Sequence, residues 1–274
     1  DCLDLLNRLT TNDLTPLTSP GQGTATVLTT PKGRILDLLD ELKLSENTLV
    51  IFSSDNGPTF NGGTDSTFFE SAAHFRGLKG SVHEGGLRVP MIIAGAGVEP
   101  RGQLSSALTH VTDIVPTLLE LSGASMPGAQ YRQPTGKSLL PLLLGQDDRV
   151  RQEHETLGYE LGGNAALFKG DYKLVKNLPP AGDGHWHLYN IVDDPGESRD
   201  LAASLPERFA EMQADYEDYA QRNGVLPVPD GYEQLRQVSR NSIMARKAEW
   251  MSALLVLFVL IYIGVRRRRK RAGA

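Results

Sequence analysis

Two short, apolar runs constrain the fold of this chain more than any other feature. Thr48–Phe52 and Val89–Ala94 consist almost entirely of apolar residues. Strands covered on both faces of a sheet have such continuous apolar runs, whereas half-exposed strands alternate. The first run follows a turn at residues 45–47 and a segment whose apolar residues recur at helical spacing. These residues are Ile35, Leu36, Leu38, Leu39, Leu42 and Leu44. The order of helix, turn and buried strand predicts an α/β domain.

The pattern changes in the second half of the chain. From Leu157 to Tyr189, short apolar segments alternate with turns, which is typical of a small antiparallel sheet. Leu205–Gln221 has the pattern of an amphipathic helix. Its apolar side carries Phe209, Met212, Tyr216 and Tyr219. A further helix is predicted at Thr109–Leu121, with Pro116 near its first turn.

The end of the sequence predicts a membrane anchor. Trp250–Val265 contains no charged residue and is followed directly by the basic run Arg266–Arg271. A spanning helix needs about 20 apolar residues, and flanking arginines and Trp250 can extend a shorter one to the interfaces. The alternative is a buried core helix, which would show a polar face. Because positive flanks stay in the cytoplasm, we expect a cytoplasmic tail at residues 266–274 and an extracytoplasmic (for a bacterium, periplasmic) body.

The charge argues against a nucleic-acid-binding protein, and the cysteine content excludes an intramolecular disulfide. The net charge is −5 although residues 266–271 are all basic, so the body is acidic. A nucleic-acid-binding protein needs basic residues across a folded face, and we therefore expect no nucleic-acid partner. The only cysteine is Cys2, which rules out an intramolecular disulfide.

Polar residues that could carry chemistry flank the two apolar runs. The segment Ser53-Ser54-Asp55-Asn56-Gly57 directly follows the first run, at the kind of strand end where α/β proteins bind ligands. Carboxylate and amide oxygens suit Ca²⁺ or Mg²⁺, although Asp-Asn-Gly is also a common turn. Lys79 lies in a glycine-rich, basic segment before the second run. It could supply a positive charge to a tetrahedral anion, or it could be a solvated loop lysine.

His83 and Glu84 in the same segment could form an acid–base pair. Neighbouring side chains more often face apart, however, so the adjacency alone does not predict such a pair. The sequence therefore leaves the partner of each side chain open.

Five blocks in collinear order resemble the arylsulfatase family of the alkaline-phosphatase-like superfamily. They are LDELKLSENTLVIFSSDNGP, LKGSVHEGGLRVPMII, LTHVTDIVPTLLELSG, PTGKSLLPLLLG and finally GYELGGNAALFKGDYKLV with WHLYNIVDDPGESRDLA. The likeness covers residues 34–222. It implies a partial alkaline-phosphatase-like α/β sandwich, followed by a small C-terminal antiparallel sheet with a packed helix. It also implies a hydrolase of sulfuric esters.

The resemblance gives the polar residues separate roles. Asp55 and Asn56 would be two metal ligands, for calcium in most members, and Lys79 would contact the sulfate ester. His83 would lie on the substrate side. The turn Asp193–Glu197, which looks like a metal cluster, would be a structural turn of the C-terminal subdomain.

The catalytic nucleophile of the family has no counterpart in this sequence. Members use a cysteine in a Cys-x-Pro/Ala-Ser-Arg motif, which is oxidised to formylglycine. Cys2 is followed by Leu3, Asp4 and Leu5 and does not fit that motif. The upstream metal ligands of the family are also missing. We therefore expect an incomplete calcium site, no formylglycine, an exposed apolar sheet edge and no activity of this chain alone.

The first residues resemble a different family. Residues 1–38 are similar to the opening of the glycine-cleavage aminomethyltransferase and its folate-binding relatives. The two resemblances overlap at Gly33–Leu39, which fits both families. We hypothesise that the chain is a chimera joined at this stretch, by gene fusion or by assembly error.

The sequence thus predicts a membrane-anchored arylsulfatase-like chain that needs calcium and a sulfate ester. A related phosphodiesterase or phosphonate hydrolase and a non-catalytic, membrane-tethered anion binder are the alternatives. Folate-dependent methyl transfer rests on the first segment alone. The predicted divisions are 1–38, aminomethyltransferase-like; 39–150, sulfatase body; 151–222, C-terminal subdomain; 223–249, linker; 250–265, membrane helix; and 266–274, basic tail. Neither the natural ester nor the oligomeric state follows from the sequence.

Overall fold

The computed structural model describes most of the sulfatase-like part of the chain. The described residues are 35–59, 65–99, 102–125, 133–229, 231–232, 236–244 and 247. Almost all of the segment that resembles aminomethyltransferases lies outside them, as do the predicted membrane helix at residues 250–265 and the basic tail. Within the described ranges, no helix is both long enough and apolar enough to cross a membrane.

The first half contains a two-stranded sheet with short helices around it. Strands β1 and β2 pair antiparallel, from Leu49 opposite Gly95 to Ser53 opposite Met91. The elements in order are α1 at 35–41, a 3-10 turn Ser45–Asn47, β1 Leu49–Ser53, α2 Glu84–Leu87, β2 Met91–Gly95, a 3-10 turn Val111–Asp113, α3 Ile114–Ser122 and α4 Leu140–Leu143. The predicted order of helix, turn and strand is confirmed.

The predicted burial of these strands is wrong. In β1 no residue is fully buried, and in β2 only Ile92 is. The apolar residues of the segment before β1 are also exposed to solvent: Ile35 is 57%, Leu38 51% and Leu42 57% exposed. The physical reason is that the described residues place only two strands here. A two-stranded sheet leaves much of its own surface, and of the helix beside it, in contact with water.

The second half is a four-stranded antiparallel meander covered by a long helix. Strands β3 Thr156–Leu161, β4 Asn164–Lys169, β5 Tyr172–Lys176 and β6 His187–Asn190 pair in sequence order. Helix α5, Pro206–Asn223, packs on them and ends at Gly224 in the left-handed conformation. The predicted small sheet with a packed helix is confirmed, within two residues at either end of each segment.

Alternating residues of the meander build two cores. On one face Ala166, Val175 and Tyr189 pack with Val82 of the first half. On the other face Leu167, Leu174 and Leu188 pack with Met212 of α5. Burial of each such leucine stabilises the fold by about 1.5–3 kcal/mol. The meander is therefore held between α5 and the segment that contains Val82, which places that segment rigidly on the sheet.

The helix predicted at Thr109–Leu121 forms with a tighter first turn. A 3-10 turn at Val111–Asp113 precedes α3, and His110 caps it by accepting a hydrogen bond from the Thr112 N–H. Gly123 ends α3 with φ of 65°, a conformation that glycine adopts without steric cost. The prediction of the helix is confirmed, and its boundaries shift because the cap lies on His110.

Candidate active site

The turn that follows β1 carries the two predicted metal ligands. Asp55 is exposed and Asn56 is half-buried. The Asn56 Nδ2 donates a hydrogen bond to the Gly57 carbonyl at 3.0 Å, which leaves its Oδ1 as an acceptor. Gly57 is buried, and its N–H donates to the Gly86 carbonyl at 3.1 Å. The turn is thus fixed to the glycine-rich segment by its backbone, while the Asp55 carboxylate faces solvent.

A second backbone contact brings Lys79 to the same turn. The Lys79 N–H donates to the carbonyl of Pro58 at 2.8 Å. The Lys79 residue is exposed, and its ammonium makes no hydrogen bond or ion pair to other described residues that would neutralise it. The structure therefore joins the two predicted segments, residues 55–58 and residue 79, at a shared surface. Their charged groups remain available to an external ligand.

His83 lies in the core instead of on that surface. It is 3% exposed, and its Nδ1 is 3.1 Å from Glu197 Oε2. It does not pair with the neighbouring Glu84, whose carboxylate contacts Lys173 at 2.8 Å. The interpretation of His83 and Glu84 as an acid–base pair therefore has no geometric support. The substrate-side role of His83 stays a prediction.

A buried ionic cluster, which no sequence pattern predicted, holds these side chains together. Its members are His83, Glu84, Lys173 and Glu197, all between 0% and 4% exposed. Lys173 Nζ is 2.8 Å from Glu84 Oε1 and 2.9 Å from Glu197 Oε1. Burial alone raises the pKa of Glu197, but the hydrogen bond with His83 and the charge of Lys173 outweigh it and hold that pKa below its ordinary value. Glu197 therefore stays ionised in the core.

The aspartates of the acidic turn after β6 make their hydrogen bonds to nearby residues of the same chain segment. Asp194 accepts hydrogen bonds from the N–H groups of Ser198 and Arg199, both at 2.8 Å. Asp193 Oδ2 accepts from Asn190 at 2.8 Å. These carboxylates are engaged within the turn, and the structure agrees with the interpretation of Asp193–Glu197 as a structural turn.

The described residues supply only part of a calcium site. Asp55 and Asn56 offer a carboxylate and an amide oxygen, which are suitable donors, but Ca²⁺ takes about 6–8 oxygen ligands. Among the residues that the structure describes, no group of three or more His, Cys, Asp or Glu side chains could hold a metal ion. Asp55 and Asn56 thus supply two of the oxygen ligands that a calcium ion would need.

The profile of the sulfatase family matches residues 33–124. This stretch contains β1, the Asp55–Asn56 turn, Lys79, the glycine-rich segment, β2 and α3. The chain carries a sulfatase-family domain. The sulfatase family consists of sulfuric ester hydrolases and is generally metal-dependent.

Known sulfatases resemble the chain well beyond that stretch. Human steryl-sulfatase is 37% identical over 233 residues, which covers 73% of this chain and 39% of that protein. The N-acetylgalactosamine-6-O-sulfatase of Bacteroides thetaiotaomicron is 31% identical over 198 residues, or 66% of this chain and 38% of that protein. A solved structure from work on glycosaminoglycan metabolism by Bacteroides thetaiotaomicron has 29% identity and a TM-score of 0.61, covering 72% of this chain and 44% of that one. The chain thus spans about two fifths of the length of the sulfatases that it matches.

Proposed function

We propose that the chain binds the sulfate group of a sulfuric ester at the surface formed by Lys79 and the Asp55–Asn56 turn. The observation that carries this proposal is the hydrogen bond from the Lys79 N–H to the Pro58 carbonyl at 2.8 Å. It fixes the backbone from which the exposed Lys79 side chain extends next to the exposed turn. A positive charge held in place before the ligand arrives stabilises an anion without reorganisation.

Each predicted residue has a distinct part in this proposal. Lys79 neutralises charge on the sulfate oxygens, as a compact ammonium does on tetrahedral anions. Asp55 and Asn56 are proposed as two ligands of a calcium ion, which would polarise the same sulfate oxygens. Because two donors are too few for a calcium ion, the proposal assigns the main binding contribution in this chain to Lys79.

Turnover requires a nucleophile, and the only cysteine in this sequence, Cys2, does not lie in the motif of the family nucleophile. We therefore propose that these 274 residues by themselves bind sulfate esters without hydrolysing them. The natural ester stays open, because the relatives named above act, by their names, on a steryl ester and on an N-acetylgalactosamine ester.

The test is a binding measurement on Lys79→Ala. We expect the variant to bind 4-nitrophenyl sulfate about 10- to 100-fold more weakly by calorimetry, because a hydrogen bond to a charged group contributes about 1.5–3 kcal/mol. Lys247→Ala removes a lysine far along the sequence and should leave the dissociation constant unchanged. Equal affinity of the parent and Lys79→Ala would overturn the assignment.

Two additional measurements separate the alternatives. The same assay with an aryl phosphate diester tests the phosphodiesterase alternative, which requires tighter binding of the diester than of the sulfate. Release of 4-nitrophenol is measured in parallel, with and without calcium. Turnover that depends on both calcium and Lys79 would refute the proposal that the chain lacks activity.

We also propose that residues 250–265 anchor the chain in a membrane, with the body outside the cytoplasm. The support is the uncharged run itself and the six basic residues directly after it. Flotation of the full chain with lipid vesicles, compared with a Leu257→Arg variant, tests the anchor. A central arginine costs about 2.5–3.5 kcal/mol on insertion scales, so the variant should float less. Equal flotation would contradict the anchor.

The hypothesis of a junction near residue 33 gains support from the family match, which begins at that residue. The stretch shared by the two resemblances, Gly33–Leu39, lies at the same place. Amplification across codons 20–60 from genomic DNA tests whether the junction is native or arose in assembly. A continuous native product would rule out the assembly error.

A further inference from the structure

Lys173 is a charged side chain with no exposed surface, and it joins the two halves of the chain. It lies on β5 of the meander, whereas Glu84 belongs to α2 in the first half and Glu197 to the turn after β6. Its Nζ lies within 2.9 Å of a carboxylate oxygen of each. One ammonium therefore connects three segments that are far apart in the sequence.

The other carboxylate oxygen of Glu197 fixes the backbone of the glycine-rich segment. Glu197 Oε2 accepts a hydrogen bond from the Glu84 N–H at 2.7 Å and lies 3.1 Å from His83 Nδ1. One residue earlier, the Val82 N–H donates to Asn177 Oδ1 at 2.8 Å. Three consecutive residues are thus bound to side chains of the C-terminal subdomain.

The same subdomain also holds the residue next to Lys79. Asn164, the first residue of β4, donates from Nδ2 to the Gly80 carbonyl at 2.9 Å, and its Oδ1 accepts from the Leu178 N–H at 2.7 Å. Asn164 is 4% exposed, and both the nitrogen and the oxygen of its side-chain amide are hydrogen-bonded. Gly80 itself adopts φ of 98°, and the hydrogen bond fixes the backbone at a point where glycine would otherwise be free.

Stability alone is a poor reason for such an arrangement. Burial of a charged pair costs desolvation that its attraction often does not exceed, and apolar residues of similar volume are frequently as stable. What these groups add is direction. Glu197, Asn177 and Asn164 each contact a particular backbone atom of residues 80–84, and Lys173 holds the carboxylates of Glu84 and Glu197 together. None of the side chains that make these contacts is exposed to a ligand.

We propose that Lys173 and Asn164 are positioning residues for Lys79. They fix the backbone that follows Lys79, and the Lys79–Pro58 hydrogen bond fixes its own backbone against the Asp55 turn. The Lys79 ammonium then contacts the anion from a backbone whose position is fixed. This inference rests on the proposed role of Lys79 in binding sulfate, and it adds that the C-terminal subdomain sets the geometry of that contact.

The main test uses the double variant Lys173→Met with Glu84→Gln in the full chain. The pair of substitutions removes one positive and one negative charge together, so that the net charge of the buried cluster does not change, and Glu197 keeps its contacts with His83 Nδ1 and the Glu84 N–H. Lys169→Met is the matched control: this lysine, on the neighbouring strand, contacts Glu211 and Asp215 of α5, both at 2.6 Å, and not the glycine-rich segment. Thermal unfolding verifies that each variant is folded.

Two readouts report on Lys79. The first is protection of Lys79 from acetylation as inorganic sulfate is titrated, with chloride at matched ionic strength as reference. The second is amide hydrogen exchange across residues 77–86, which needs no ligand. For the double variant we expect a sulfate dissociation constant at least about tenfold higher and exchange at least about tenfold faster, a change of 1.4 kcal/mol or more. Lys169→Met should match the parent in both.

A folded double variant with unchanged protection and unchanged exchange would overturn the inference. If the double variant does not fold, Asn164→Ala decides, because it removes only the link to the Gly80 carbonyl and the bond from Leu178; unchanged readouts in that variant overturn the inference equally. If sulfate does not protect Lys79 in the parent, the proposed function fails, and the hydrogen exchange alone decides whether the subdomain positions Lys79.

Discussion

Replacement of Asp113 by alanine is expected to destabilise the protein by about 3–5 kcal/mol, because it leaves a buried guanidinium without its partner. Asp113 is fully buried, and Arg151 donates to both of its oxygens at 2.8 and 2.6 Å. The same carboxylate accepts the N–H groups of His110 at 2.7 Å and Lys137 at 2.8 Å. Removal of this carboxylate therefore also leaves these two backbone N–H groups without their acceptor.

Urea unfolding followed by circular dichroism measures this loss. The control is Glu153→Ala, which breaks the exposed pair of Arg149 and Glu153 at 3.2 Å. Exposed pairs of this kind contribute about 0–1 kcal/mol. The two variants remove one carboxylate each, and they differ in the burial of the partner. A loss of less than about 1 kcal/mol for Asp113→Ala would show that Arg151 finds water or another acceptor.

The secondary structure was predictable in segments whose apolar residues recur at one regular spacing. The apolar residues of α5 recur every three or four positions, and Met212 lies at the centre of the resulting core. In the meander, alternation of side chains separates the Val82 core from the Met212 core. Such patterns reflect burial on one face, so the sequence alone can indicate both the element and its buried side.

The burial of β1 and β2 was not predictable by the same reasoning. A continuous apolar run indicates that both faces of a strand can be buried. It does not show whether other elements of the chain pack on those faces. The exposure of Ile35 and Leu38 makes the same point for α1. Hydrophobic pattern reports what a segment can bury, and neighbouring elements decide how much of it is buried.

The candidate site was predictable in part, for a similar reason. Asp55, Asn56 and Lys79 lie next to glycines and strand ends, which are local signals. The partners of His83 and Glu84 are not local: Glu197 lies 114 residues from His83, and Lys173 lies 89 residues from Glu84. No spacing rule connects residues at such separations, and only the folded meander brings them together.

Gly57→Ala is the substitution expected to damage the candidate site most directly. A Cβ at residue 57 would lie 2.0 Å from the carbonyl oxygen of Gly85 and 2.9 Å from the Gly86 Cα. Both are backbone atoms and cannot rotate away as a side chain could. Gly85 is itself held in place, because its N–H donates a hydrogen bond to the Arg76 carbonyl at 2.7 Å. The two backbones must therefore separate.

That separation breaks the contacts that join the turn to the segment of Lys79. The hydrogen bond from the Gly57 N–H to the Gly86 carbonyl, 3.1 Å in the parent, is lost first, and the Lys79–Pro58 bond at 2.8 Å lies next to it. Introduction of an atom into a packed site typically costs about 1–3 kcal/mol, and occasionally more. We expect a loss at the upper end of this range, together with weaker protection of Lys79 by sulfate.

Gly196→Ala is the matched control for this prediction. Its nearest neighbour would be the His74 carbonyl oxygen at 3.1 Å, a contact that a shift of a few tenths of an ångström relieves. Urea unfolding should therefore show a loss below about 1 kcal/mol for Gly196→Ala, and sulfate should protect Lys79 as in the parent. Equal stability of the two variants would mean that the Gly57–Gly85 contact yields easily, and that the Asp55 turn is not rigidly held against the segment of Lys79.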